Sequence, residues 1–480
     1  MDKQEAKKMK SALGVLKAVL TWACRERSKC LGEPPICLRG NQLSYSSLEG
    51  TTAGVNLPGL RVDGEPVYVR ASLVKAALAA MPGEMHIDYA NCTINGLSFS
   101  VQEGKELHER CPTVDVNQTF GRVKTLAVIP MPEVLNEVRV AESRGDIRYY
   151  LNGTCFDLER HAVVSTNGHR MHVANSDTLP DLKPEVLDAL RRQIDVHDVR
   201  ACQFILAGWQ LDLLNKMGAT QLSVGRFPVQ AKGDASIPCW QALDAKTPCY
   251  LVRSKAEFGF FIGKSIDGYY PDWNRVAPSV NAIEVKRNIA LAMQAKLKAY
   301  FGSTEEPGSM GMRDQREELI KGYPHMIKYP ATVTDELREQ IDTANLNTIA
   351  ANEIEWRTSY PRLVEFPADS VAILRRYIKA ATAVHATSKA KESGMGVVID
   401  LRDGVVRSRG VEGIPLNMPI RVLDELEYDG DRADHLAGVN AEYLADALEY
   451  VGLENWYVAA GHAFVAHNDS RTAVVMPVRA

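Results

Sequence analysis

No stretch of this chain stays apolar for long enough to cross a bilayer. The opening residues MDKQEAKKMK carry charge where a secretion signal needs an apolar core. Both absences lead to the expectation of a cytoplasmic protein. Cysteine supplies no framework: nine are present, an odd number without CxxC or zinc-finger spacing. Cys24, Cys30 and Cys37 lie close together but lack a fourth ligand nearby, which reads as free thiols in a reducing cytosol. The Asn-x-Thr sequences at Asn91, Asn117 and Asn152 then carry no meaning as glycan acceptors. A basic surplus is missing as well. The formal net charge of −4 argues against coating nucleic acid through overall basicity, yet leaves room for one basic face or channel. No Ser or Cys sits in a G-x-S-x-G elbow.

What the chain does have is ordinary globular composition and an internal repeat. Hydrophobic content is 45% and charged content 24%, as in soluble domains, and 480 residues suffice for about three of them. Around Leu73 the sequence reads ASLVKAALAAMPGEMHIDY; around Trp209, AGWQLDLLNKMGATQLSVG; around Tyr443, NAEYLADALEYVGLENWYVAA. Each predicts a short amphipathic helix, a Gly-bearing stop and a strand. In alignment Leu73, Trp209 and Tyr443 coincide, then Leu78, Leu214 and Leu448, then Met81, Met217 and Val451. Those spacings are expected to share one helix face, and a repeat of this kind sets the architecture.

A second helix is expected upstream in each repeat. The first is Met9 to Cys24, with Leu13, Leu16 and Leu20 on one face. The second starts near Pro132, with Val134, Leu135 and Val138; the third starts near Pro367, with Val371, Leu374 and Tyr377. Proline is tolerated in a first turn. Alternating strands should follow at ICLRGNQLSYSS, at IRYYLNGTCFDLE with HAVVSTNG, and at GVVIDLRDGVVRSR. Asn152-Gly153 and Asp403-Gly404 are hairpin signals. Each unit runs to about 110 residues, and three need about 340, leaving roughly 140 over. Most of the surplus is Ser279 to Glu365, with the rest at Thr178–Arg200 and Lys232–Lys246, on surface connections where insertions are tolerated.

RYYLNGTCFDLERHAVVSTNGHRMHVA, from Arg148 to Ala174, resembles the central domain of the bacterial DNA polymerase III β sliding clamp family, whose pattern is close to RYYLNG followed by ATDGHRLA. GYYPDWNRVAP, Gly268 to Pro278, resembles that family's G-R-F-P-D-Y-x-R-V-x-P. VVMPVRA, Val474 to Ala480, resembles its V-V-M-P-M-R-L ending, and NAEYLADAL from Asn440 resembles its third-domain helix. The resemblance is strong in repeats two and three and thin in repeat one. It implies an α+β fold of three clamp domains, each a pair of helices backed by β-sheets, at residues 1–120, 121–278 and 366–480, with a mostly helical insertion at 279–365. It also implies that two copies close head to tail into a ring, domain 1 on domain 3, removing exposed sheet edges.

The implied function is that of a DNA sliding clamp, a processivity factor that needs no catalytic residue, metal or cofactor. Its partners would be encircled duplex DNA, a DNA polymerase catalytic subunit, a clamp loader and a second copy of itself. Phosphate contacts give position without sequence preference, so the inner helices should carry cations. Candidates are Lys10, Lys17, Arg25, Arg27, Lys75, Arg139, Arg144, Arg148, Lys216, Arg375, Arg376 and Lys379, with Tyr149 and Tyr150 near the DNA path. The competing reading makes the cations ordinary solvated helix faces and the tyrosines strand aromatics in the core. A pocket for a partner peptide of Gln-Leu-x-Leu-Phe type is implied at Leu151, Thr166, Gly168, His169, Arg170, Met171, Pro271, Arg275, Val276, Asn440, Tyr443, Val474, Val475, Met476, Pro477, Val478 and Arg479. Met171, Val276, Val475 and Met476 would take apolar anchors, and Arg170, Arg275 and Asn440 would fix polar groups. The chain departs from the family at Asn167, Met171, Val478 and Ala480.

Two rival classes have weaker support. One is a nucleotide hydrolase at Gly259-x-x-x-Gly263-Lys264-Ser265, but this run is one residue short of a P-loop, and Phe260, Phe261 and Ile262 would crowd a phosphate cradle. His161, His169 and His172 invite a metal reading, yet they lack helical i, i+4 spacing. The other is a clamp-like recruitment hub in transcription or regulation, served by the insertion.

Overall fold

Lys, Gln, Glu and Ala favour helix, and in the computed structural model they extend the first helix to Lys3–Arg25, six residues upstream of the expected Met9. Leu13, Leu16 and Leu20 are buried, as expected of one apolar face, together with Val15, Val19 and Trp22. The structure describes residues 3–25, 33–39, 41–47, 51–58, 65–82, 84–110, 125–175, 179, 203–226, 250–255, 258–266, 268–276, 362–385, 395–409, 414–423 and 435–478. Nearly all of the expected insertion, Lys232–Lys246 and most of Thr178–Arg200 lie outside them. Contacts divide the chain into two units. Unit 1 is Met1–Ser165 with Asn175–Pro271, and unit 2 is Thr166–Ala174 with Asp272–Ala480.

In unit 1, the described residues include an antiparallel eight-stranded sheet in the order Val67–Arg70, Pro35–Arg39, Gln42–Ser46, Thr52–Asn56, Gly259–Lys264, Tyr250–Lys255, Gln221–Arg226, Thr125–Pro130. It therefore runs from the first repeat into the second. Lys3–Arg25 packs on Gly208–Met217 through Trp22 and Trp209, stacked with centroids 5.0 Å apart; Tyr45 meets Trp22 edge-on at 4.8 Å. A smaller set holds Gln203–Ala207, Gly153–Asp157 and Ala162–Thr166 in that order.

In unit 2, strands Arg170–Asn175, Arg471–Val475, Phe464–His467, Trp456–Val458, Arg362–Glu365 and Arg421–Val422 lie side by side. Arg362–Glu365, assigned by sequence to the insertion, pairs with Trp456–Val458 and so belongs to the repeat. A second sheet orders Asn417–Pro419, Val405–Ser408, Gly396–Asp400 and Leu436–Asn440. Helices Ser370–His385 and Ala441–Val451 accompany them.

The repeated helix–stop–strand units are present. Ala71–Ala80, Gly208–Met217 and Ala441–Val451 are the helices, and Gly218 closes the second in the left-handed region at φ 68°. The shared-face expectation needs correction. Five residues advance a helix about 140° beyond a full turn, so Leu73, Trp209 and Tyr443 are half-buried. The fully buried mates of Leu78, Leu214 and Leu448 lie four residues earlier, at Val74, Gln210 and Leu444. Met81 falls beyond its helix and is exposed.

Two local expectations also change. The helix from Pro132 is only one turn, Leu135–Val138, running into the 3-10 turn Arg139–Ala141. Glu142 then goes extended (φ −62°, ψ 142°), its carboxylate turned to Arg139 and Thr154. Asn152-Gly153 makes no hairpin, and no strand covers IRYYLN. Tyr149–Leu151 is a 3-10 turn, and Gly153 opens the strand Gly153–Asp157. Asn152 braces the loop instead, giving Nδ2 to the Asp146 carbonyl and accepting the Asp146 amide. That hairpin turns after Asp157, whose buried carboxylate accepts the amides of Glu159 and Arg160. Asp400 does the same for Arg402 and Asp403, in a turn that does use Asp403-Gly404, with Gly404 at φ +62°.

Candidate functional site

In unit 2, Arg170–Asn175 pairs antiparallel with Arg471–Val475, setting Arg170 opposite Val475 and Met171 opposite Val474. A tight turn precedes the strand. Thr166 Oγ1 donates to the Arg170 carbonyl at 2.6 Å and accepts the Gly168 amide at 3.0 Å. Asn167 Oδ1 accepts the amides of His169 and Arg170, both at 2.9 Å. Asparagine thus supplies the one oxygen that the turn needs from an Asx side chain, and Gly168 takes the left-handed φ of 85°. Beyond the paired strand, the Met476 amide donates to the His169 carbonyl at 2.8 Å and the Val478 amide to Gly438 at 2.9 Å.

Tyr443, on helix Ala441–Val451, carries the Arg170 guanidinium over its ring at 4.7 Å, and the His169 ring lies nearly parallel to it at 6.2 Å. Arg170 also pairs with Asp446, which is 6% exposed at its side chain and accepts Arg375 at 2.6 Å. Arg375 reaches Glu449 as well, at 2.8 Å. Two guanidinium groups therefore share one buried carboxylate, which is how a charge is kept in a dry place.

Several expected pocket residues have partners of their own in the structure. Arg170 is engaged by Asp446 and Tyr443. Asn440 caps helix Ala441–Val451, its Oδ1 accepting Glu442 and Tyr443 amides at 2.9 and 3.3 Å. Met171, Val474 and Val475 are buried in the sheet. Met476 and Val478, 37% and 41% exposed, present apolar surface, with Pro477 half-buried between them. Arg275 and Val276 sit in the short helix Trp273–Val276; their side chains and Arg479 lie outside the described residues. In unit 1, Leu151 is buried in its 3-10 turn and Pro271 is exposed.

The expected cations divide into exposed groups and groups engaged by acids. Lys10, Lys17 and Arg25 lie exposed along Lys3–Arg25, Lys75 on Ala71–Ala80, and Lys216 on Gly208–Met217. Arg144 is exposed in the loop before Tyr149–Leu151, and Arg376 and Lys379 on Ser370–His385. Lys7 and Lys8 share the exposed face with Lys10; the charge run at the N-terminus was the signal for them. Arg139 is engaged: it donates to Glu142, to the Gly208 carbonyl at 2.8 Å and to Asp212 at 2.9 Å. Burial holds the Glu142 carboxyl above the usual carboxylate value, and Arg139 opposes that shift. Arg148 forks onto Asp146 through Nε and Nη2 at 3.1 and 2.7 Å. Tyr149 is exposed and Tyr150 half-buried, so neither is a core strand aromatic. Arg27 lies outside the described residues.

Asp446 and Asp212 went unnoticed in the sequence, although each follows its repeat aromatic by three residues, after Tyr443 and Trp209. Gly259–Lys264 is a strand paired on both sides, and the Lys264 carbonyl accepts Gln210 at 3.0 Å; this is not a phosphate-cradling loop. His161 turns a hairpin and bonds the Leu179 carbonyl at 3.1 Å. His172 is buried against Tyr450, ring to ring at 4.2 Å. Among the described residues, no helix is long and apolar enough to cross a membrane.

No family model matches this sequence, and no curated protein does. Solved structures do. The Caulobacter crescentus pol III beta structure aligns over 98% of this chain and 98% of its own at TM-score 0.53 and 14% identity. The Helicobacter pylori beta clamp bound to a DNA ligase peptide aligns over 98% of each chain at TM-score 0.53 and 11% identity. The DnaN sliding clamp from Bartonella birtlesii bound to griselimycin aligns over 99% of this chain and 98% of its own at TM-score 0.52 and 13% identity. The chain has the α+β fold of DNA sliding clamps.

Proposed function

We propose that this protein is a DNA sliding clamp: two copies close head to tail around duplex DNA and tether a polymerase and other replication proteins to it. The observation that carries the proposal is charge placed against the chain's own balance. In a protein of net charge −4, helix Lys3–Arg25 holds Lys3, Lys7, Lys8, Lys10, Lys17 and Arg25 against a single Glu5. Helix Ser370–His385 carries no acid and exposes Arg376 and Lys379, its Arg375 being held by Asp446 and Glu449. Such faces suit phosphates read without sequence, and the fold supplies the helices in repeated units. In this reading the three repeats act as three clamp domains, with domain 1 of one copy on domain 3 of the other. Encirclement makes dissociation a topological problem, so weak contacts suffice while the ring slides. No cofactor or catalytic residue enters this function.

Recruitment falls to the surface of Met476, Val478 and Tyr443, beside the Thr166–Arg170 turn. The Helicobacter pylori clamp carries a DNA ligase peptide, which supports a peptide mode here. Met476 suits a surface that accepts several partners. The test is fluorescence anisotropy of a labelled Gln-Leu-x-Leu-Phe peptide against the wild type and a chain lacking residues 475–480. Saturable binding that truncation abolishes supports the reading. Equal binding by both would remove this surface from it.

A further inference from the structure

Neighbouring repeats join by one rule. The last strand of repeat two, Gly259–Lys264, pairs antiparallel with Thr52–Asn56 of repeat one. The last strand of repeat three, Arg471–Val475, pairs antiparallel with Arg170–Asn175, the corresponding strand of repeat two. Two strands are left over: Leu97–Ser98, the last of repeat one, and Asn417–Pro419 of repeat three, at the end of its sheet among the described residues. In a ring of two copies the same rule pairs them between chains.

The joint is short on one side. Gly259–Lys264 spans six residues and Arg471–Val475 five, but Leu97–Ser98 only two. The sequence continues the strand pattern past this point: Leu97, Phe99 and Val101 alternate with Ser98, Ser100 and Gln102, a period-2 run. The chain instead turns at Ser100. Its Oγ accepts the Glu103 amide at 3.2 Å and helix Val101–Arg110 begins, on the Ser-x-x-Glu pattern of a capping box. One segment thus carries both signals.

The helix is lightly held. Among its described residues only Gly104 is buried, and Val101 is 37% exposed. Ten residues are too few for a helix to persist in water by propensity alone, and few buried contacts mean low local stability. It rests on Val67–Arg70, where Tyr68 stacks on His108 at 3.9 Å and Arg70 pairs with Glu103. A Cβ added at Gly104 would fall on the Tyr68 carbonyl.

We propose that residues 97–102 are a helix–strand switch: capped as a helix start in the single chain, they extend into a strand on Asn417–Pro419 of a second copy. Ring closure and release of Val101–Arg110 from Val67–Arg70 are then one equilibrium. This rests on the two-copy ring proposed above. Two substitutions push the switch in opposite directions. Val101→Pro fits the first helical position but removes the amide that a strand needs. Gly104→Val evicts the helix from Tyr68 and favours the extended form. Sedimentation velocity across a concentration series reads the dimer dissociation constant of each full-length variant, and circular dichroism reports folding. Val101→Pro is expected to weaken dimerisation, and Gly104→Val to strengthen it, each by about tenfold. Dimers of unchanged affinity in both variants would overturn the switch and leave the ring standing. Monomers throughout, Gly104→Val included, would overturn both.

Discussion

Arg375 donates to Asp446 at 2.6 Å across helices Ser370–His385 and Ala441–Val451. One repeat earlier, Arg139 meets Asp212 at 2.9 Å in the same way, with Asp212 and Asp446 at matching places in the repeat. Two of the cations that sequence assigns to DNA are thereby tied into their own repeat. The two pairs differ in burial: the Asp446 side chain is 6% exposed and that of Asp212 60%.

That difference sets the first prediction. Asp446→Asn leaves Arg170 and Arg375 without their shared carboxylate and should destabilise unit 2 by about 3 kcal/mol, as for a broken buried pair. Asp212→Asn, in water, should cost about 1 kcal/mol or less. Urea midpoints followed by tryptophan fluorescence compare them; equal shifts would contradict the burial argument.

Lys10 and Lys17 are exposed. Lys10→Glu with Lys17→Glu should leave the urea midpoint within about 0.5 kcal/mol of the wild type. Affinity for duplex DNA should fall, and the slope of log affinity against log salt should become shallower by about two. An unchanged slope would take these lysines off the DNA path.

His108 gives a pH dependence. Burial on Tyr68 holds its imidazole below the ordinary value of 6.5, with Glu109 acting weakly the other way; Arg70 and Glu103 are the other charges at this contact. The docked helix then binds fewer protons than the undocked one as pH falls below 6.5. The contribution of neutral His108 to docking is fully present above that pH and declines as pH drops through the depressed value. Amide exchange in Val101–Arg110, corrected for intrinsic rates, should quicken on acidification, and His108→Phe should abolish the trend.

The repeat was legible because helix, stop and strand recur in the same order, and Gly218 ends the second helix in the left-handed conformation that such a stop requires. The long apolar faces of Lys3–Arg25 and Ser370–His385 were legible for the same reason: periodicity outlives local detail. Asn152-Gly153 misled because its asparagine bonds Asp146 across a loop, a choice made by neighbours rather than by the dipeptide. The candidate site was half legible. The residues around Thr166–Arg170 and Met476–Val478 do meet in unit 2, yet Arg170 and Asn440 prove to be structural partners of Asp446 and of a helix end. Burial decided that, and no local pattern encodes it. At Leu97–Gln102 the period-2 run and the Ser100 capping box conflict, so local sequence could not choose.

The central claim is encirclement, and retention on DNA circles tests it most directly. Clamp assembled on nicked circular duplex is passed through a sizing column at high salt, before and after the circle is cut once by a restriction enzyme. A closed ring should stay with the circle and leave the linear product by sliding off its ends. Equal retention on both forms, or release from the intact circle, would contradict it.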